Sequence, residues 1–140
     1  MNLFELKRII DNALAEDIGH GDITSEATIP RSAAAHGQFI AKESGVVAGL
    51  FVAAEVFRSI DNSLTFIPLS EEGAFVDKGD IIGEISGNAM AILAGERVSL
   101  NLLQRMCGIA TATRRLVDKI IHTSARIVDT RKTAPGLRLI

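Results

Sequence analysis

The segment Thr130-Arg131-Lys132-Thr133 sets two cations and two hydroxyls directly after the short, mostly apolar run Ala125–Asp129. A guanidinium offers a planar fork that grips a carboxylate or phosphate through two hydrogen bonds. An ammonium offers a compact charge that follows phosphate oxygens. The hydroxyls can bond the same anion, so the chemistry implied is the handling of a ligand with several negative charges. Ends of strands are where α/β barrels place working groups of this kind. By spacing alone, the same four residues also fit a solvated basic turn.

A second cation, Arg97, follows Gly95-Glu96 ahead of a stretch rich in core residues. It can point into a cleft, held by Glu96 or by a neighbouring chain, or it can be half of an exposed pair at a helix start. Asn101, Gln104 and Arg105 further along fit a polar helix face. Other reactive side chains are isolated. His20, His36 and His122 have no partner at metal-ligand spacing. Asp17 and Asp22 flank a glycine-rich loop without making a calcium site by themselves. Cys107, between apolar residues and Gly108, fits a buried structural thiol better than a nucleophile. The glycines lack a phosphate-loop pattern.

The elements that position these groups follow from periodicity. Leu3, Leu6, Ile10, Ala13 and Leu14 predict an amphipathic helix from Asn2 to about Glu16, with Asn2 as cap and Glu5 completing a capping box. Glu16 to Thr24 reads as a polar loop. Strands are expected at Gly37–Ala41, Val46–Ala48, Leu64–Pro68, Phe75–Val76 and Ile81–Ser86. A helix is expected at Phe51–Ile60, with Ala53, Val56, Phe57 and Ile60 on one face. Ala89 to about Ile121 reads as helical, divided at Gly95 and Gly108. A short strand, Ala125–Asp129, then leads into the basic loop. The turn-strand-turn rhythm of Glu72 to Ile82 resembles the hairpins of lipoyl- and biotinyl-carrier domains. Lys78, however, lies between Asp77 and Gly79 rather than beside Met or Ala, so the segment reads as structural.

Composition narrows the function classes. The 140 residues are 47% hydrophobic and 23% charged, with a formal net charge of -2, which fits an ordinary globular protein. With 4% aromatics, no Trp or Tyr, and no basic excess, nothing suggests a nucleic-acid surface. No apolar run reaches the roughly 18–20 residues that cross a bilayer, so no membrane association is expected. A single cysteine allows no intrachain disulfide, which fits a reducing, cytoplasmic location.

The motifs taken together carry a resemblance. Gly95-Glu96-Arg97-Val98-Ser99-Leu100-Asn101-Leu102-Leu103-Gln104-Arg105, Gly108-Ile109-Ala110-Thr111, and Asp129-Thr130-Arg131-Lys132-Thr133-Ala134-Pro135-Gly136-Leu137-Arg138 resemble quinolinate phosphoribosyltransferases in order and spacing. So do Glu16-Asp17 with Gly21-Asp22-Ile23-Thr24, and the turn Gly45-Val46-Val47-Ala48-Gly49. The resemblance covers nearly the whole chain.

It implies an α+β fold: an α/β hammerhead-like N-terminal domain over residues 1–110, then the beginning of an incomplete α/β barrel over 111–140, with Ile127-Val128-Asp129 as first barrel strand. It also implies transfer of phosphoribosyl from phosphoribosyl pyrophosphate to quinolinate, giving nicotinate mononucleotide, pyrophosphate and carbon dioxide, with Mg²⁺. Arg97 would hold quinolinate from the partner subunit of a homodimer. Arg131 would meet a substrate carboxylate, Thr130 would line the pocket, and Lys132 would act beside the phosphates as the catalytic cation. The resemblance further implies that the chain is a fragment, inactive alone, because the family's later lysine, His-Arg pair and acidic metal residues are not in it. A related enzyme linked to molybdenum transport shares the Thr-Arg-Lys-Thr-x-Pro-Gly stretch, but Asp129, Leu137 and Arg138 favour the quinolinate enzyme. A non-catalytic dimerisation or carrier module is the alternative of a different class.

Overall fold

Asn2 opens the first helix by accepting a hydrogen bond from the Phe4 N–H at 3.1 Å, and the computed structural model describes residues 2–19 and 21–140. Helix α1 spans Leu3–Ile18 and buries Leu6, Ile10 and Leu14, the stripe set by four-residue spacing. It runs two residues past the expected end, so Asp17 stands on its last turn instead of in a loop. A short helix α2, Ile23–Thr28, takes the last two residues of that loop, because the Asp22 side chain accepts from the Ser25 N–H and caps it. His20 lies outside the described residues.

Five strands follow the expected places: β1 Ala34–Ile40, β2 Gly45–Val46, β3 Thr65–Pro68, β4 Phe75–Val76 and β5 Ile81–Asn88, with helix α3, Leu50–Ile60, between β2 and β3. They form an antiparallel three-stranded sheet ordered β1-β5-β3 and a separate antiparallel pair, β2-β4. Lys78 stands in the turn between β4 and β5, where its N–H donates to Ser44 Oγ at 3.1 Å.

Helix α3 is buried on two sides, not one. Leu50 and Phe57 join Phe39, Ile82, Ile85, Ile92 and Leu103 in a core against the sheet. Val52 and Val56 join Leu6, Ile10, Leu14, Val98 and Leu102 in a second core against α1. Phe39, Phe57 and Phe66 knit the first core, with Phe39 edge-on to Phe66 at 5.4 Å between ring centroids. Burial of each such side chain stabilises the fold by about 1.5–3 kcal/mol.

The last helix, α4, runs unbroken over 32 residues, Ala89–Ile120, and starts with Asn88 accepting from the Ala91 N–H. Neither Gly95 nor Gly108 divides it. At Gly95 α3 and α4 approach closely: a Cβ there would lie 2.8 Å from Phe57 Cδ1 and 2.9 Å from Ile60 Cδ1. The expected strand Ala125–Asp129 does not form; residues 125–130 have no regular structure and are exposed. A strand needs a neighbour to take its backbone hydrogen bonds, and none lies beside this one. Beyond it the chain packs Leu139 and Ile140 against the α1-side core.

Candidate functional site

The geometry at Arg97 is set from below. Arg97 belongs to the third turn of α4 rather than to a helix start. Its neighbours Val98 and Leu102 lock that part of α4 against α1 through Leu6, Ile10 and Leu14. The same packing fixes the last turn of α1, where Asp17 accepts from Arg97 Nη1 at 2.8 Å. The Asp17 side chain is 21% exposed and that of Arg97 72%. The carboxylate is therefore the anchored partner and the guanidinium the presented one. Glu96, the expected partner, instead donates nothing to Arg97's geometry; its carbonyl accepts from Ser99 Oγ at 2.8 Å.

Leu93, Arg97, Leu100 and Gln104 recur at three- and four-residue spacing and so share one face of α4. With Glu96 and Asn101 they line a groove of about 330 Å³. Leu93 and Leu100 stay 42% and 39% exposed, an apolar stripe on either side of the guanidinium.

Next to this pair stands Asp22. The Ser25 hydroxyl, then the Ser25 N–H, hold its carboxyl below the ordinary carboxylate range, with a smaller contribution from the charge of Arg97. Ser25 itself is buried.

The basic segment lies elsewhere. The Lys132 N–H donates to Thr130 Oγ1 at 3.1 Å and the Thr133 N–H to the Arg131 carbonyl at 3.0 Å, which folds Thr130–Thr133 into a tight turn. Arg131 and Lys132 are exposed, and neither has a carboxylate partner among the described residues. Thr130, Arg131 and Lys132 are thus brought together. None of them lines the groove of Arg97.

Cys107 lies half-buried against the chain entering α3: its Sγ accepts from the Ala48 N–H at 3.3 Å and donates to the Ala48 carbonyl at 3.4 Å. Burial pushes its thiol up, so it stays protonated and structural. His36 sits 3.5 Å from Glu84, and no group of three or more His, Cys, Asp or Glu side chains is placed to hold a metal among the described residues. The residue that sequence reasoning missed is Asp17. It stood beside a glycine-rich loop and within a stretch that carries the family resemblance, but nothing local tied it to Arg97, 80 positions away.

The layered arrangement of an antiparallel sheet under α3, α4 and α1 defines a mixed α/β protein. Residues 22–107 match the quinolinate phosphoribosyl transferase N-terminal domain, and residues 109–140 match the C-terminal domain of the same name. The chain belongs to the quinolinate phosphoribosyl transferase family. It is 48% identical over 138 residues to a chloroplastic nicotinate-nucleotide pyrophosphorylase [carboxylating] of Arabidopsis thaliana, covering 98% of this chain and 39% of the relative. It is 40% identical over 140 residues to a probable nicotinate-nucleotide pyrophosphorylase [carboxylating] of Bacillus subtilis, covering 100% of this chain and 48% of the relative. The crystal structure of NadC from Streptococcus pyogenes superposes with a TM-score of 0.94 at 35% identity, over 99% of this chain and 50% of that one. The nicotinate-nucleotide pyrophosphorylase of Francisella tularensis gives 0.93 at 33% identity, over 99% and 49%. The chain spans about half the length of these structures. Among the described residues no helix is long and apolar enough to cross a membrane.

Proposed function

We propose that this chain supplies part of the site of a decarboxylating quinolinate phosphoribosyltransferase. The observation that carries the reading is the presence of a presented guanidinium, Arg97, and a separate basic turn at Arg131 and Lys132 on one chain belonging to this family. Quinolinate has two carboxylates and phosphoribosyl pyrophosphate has three phosphates. Each needs fixed cations, and each carboxylate is met best by a guanidinium fork. In this reading Arg97 holds one carboxylate of quinolinate and Arg131 the other, which keeps the ring nitrogen over the anomeric carbon. Lys132 faces the phosphates and stabilises the negative charge that collects on departing pyrophosphate. The Thr130 hydroxyl, fixed by the Lys132 N–H, lines the same pocket.

The same reading carries Mg²⁺ as the metal that accompanies the pyrophosphate donor. No group of three or more His, Cys, Asp or Glu side chains among the described residues is placed to hold it.

The shared site of a homodimer belongs to the same proposal. Arg97 shares no groove with Arg131 or Lys132, and it is flanked by the exposed Leu93 and Leu100. An apolar stripe around a presented cation suits burial by a second copy, which would bring its own basic turn to Arg97. Division of the chain near residue 110, within α4, is likewise proposed. The first half of α4 buries Val98, Leu102 and Leu103, whereas Ile109, Leu116 and Val117 in the second half are exposed. A cytoplasmic location completes the reading and accords with the lone protonated thiol.

The test is turnover by the full-length natural protein. Quinolinate and phosphoribosyl pyrophosphate should yield nicotinate mononucleotide and carbon dioxide in equal amounts. Arg131→Ala should lower kcat/KM by at least about a hundredfold, as loss of an oxyanion-type donor does. Absence of product from the wild-type protein, or full activity in Arg131→Ala, would overturn the reading.

A further inference from the structure

We propose that Asp17 is the positioning residue that aims Arg97 at its carboxylate ligand; this rests on the function proposed above. An exposed arginine has several rotatable bonds, and ordering it on binding opposes affinity. Asp17 removes part of that freedom before any ligand arrives. Its carboxylate sits on the last turn of α1, a turn fixed by Leu14 and the core shared with Val98 and Leu102. It engages only Nη1 of Arg97, at 2.8 Å.

A guanidinium has five N–H donors. One contact to Oδ1 therefore leaves the others free for an incoming carboxylate. The partners differ in exposure in the sense this role requires: Asp17 is 21% exposed and Arg97 72%. Asp17 is the more buried of the two, and Arg97 lines the groove with Leu93, Leu100 and Gln104.

The experiment uses the full-length protein with Asp17→Asn and Asp17→Glu, alone and with Arg97→Ala. Asparagine keeps size and can bond the guanidinium but lacks the charge; glutamate keeps the charge on a longer arm. Asp17→Asn should raise KM for quinolinate about tenfold, the scale of one charge-assisted hydrogen bond, with KM for phosphoribosyl pyrophosphate unchanged. Asp17→Glu should recover part of the loss. In the Arg97→Ala background, Asp17→Asn should have no further effect on KM for quinolinate. An active wild type in which Asp17→Asn leaves KM for quinolinate unchanged, or in which the two substitutions act additively, would overturn the positioning role alone. A wild type with no quinolinate turnover would overturn it together with the function on which it rests.

Discussion

Arg97 and Asp17 meet at 2.8 Å between Nη1 and Oδ1, across 80 residues of sequence and between two helices that share one core. Pairs this exposed contribute only about 0–1 kcal/mol to folding, because water screens the charges and two side chains must be held still. The consequence of the contact is orientation. Asp17→Asn should therefore change the free energy of unfolding by less than about 1 kcal/mol, measured by urea denaturation. A loss several times larger would show the pair to be a structural strut.

Gly95 and Gly108 lie on the same helix and should respond in opposite directions. Gly95→Val forces a side chain into Phe57 and Ile60 and should destabilise by about 1–3 kcal/mol, the range for overpacking a filled core. Gly108 has nothing within 4 Å of an added Cβ. Gly108→Ala should stabilise by about 1 kcal/mol through helix propensity alone. Thermal unfolding of both variants checks the pair, and equal shifts of the same sign would contradict the placement of α4 against α3.

These two glycines also show where the sequence stops being legible. A glycine in a helical pattern is read as a break because it lowers propensity, yet the close approach that requires Gly95 comes from Phe57 on another helix. Leu6, Ile10 and Leu14 were readable because one face of one helix carries the signal. The two-sided burial of α3 was not, since Val52 and Val56 serve a core completed by α1. Ile127 and Val128 have strand composition, but composition cannot supply the neighbouring strand that would pair them. In the site, Arg97, Arg131 and Lys132 were visible as residue types in a family pattern. Asp17 was visible in the same pattern, but its contact with Arg97 was not, because that partner is fixed only by tertiary packing.

The carboxylate of Glu72 accepts from the Gly49 N–H at 2.7 Å and from the Phe51 N–H at 3.3 Å, at the N-terminal end of α3. It caps two donors that the helix itself leaves open, and its charge favours the positive end of the helix. Glu72→Ala should cost about 1 kcal/mol, the usual loss of a cap. An unfolding free energy equal to wild type would contradict the capping role.

Asp22 should contribute an acid-sensitive part of the stability. The Ser25 hydroxyl holds its carboxyl below the ordinary value of 3.8. A carboxyl whose folded pKa is depressed stabilises fully above its unfolded pKa and loses that contribution as pH falls through the folded one. The advantage of wild type over Asp22→Asn should thus be constant above roughly pH 5, shrink as pH falls below about 3.8, and vanish at still lower pH. Unfolding curves across that range test it, and an advantage that grows on acidification would have the wrong sign.

In the proposed function, Arg97 of one subunit and Arg131 of another complete one site. Mixing full-length Arg97→Ala and Arg131→Ala proteins, each of severely reduced turnover, with exchange of subunits, separates a shared site from an unshared one. Hybrid dimers hold one site with both arginines intact and one with neither, so random exchange should recover about a quarter of wild-type quinolinate turnover, the share of a binomial mixture of isologous dimers. Mixtures no more active than either parent, under conditions where labelled subunits are seen to exchange, would contradict it.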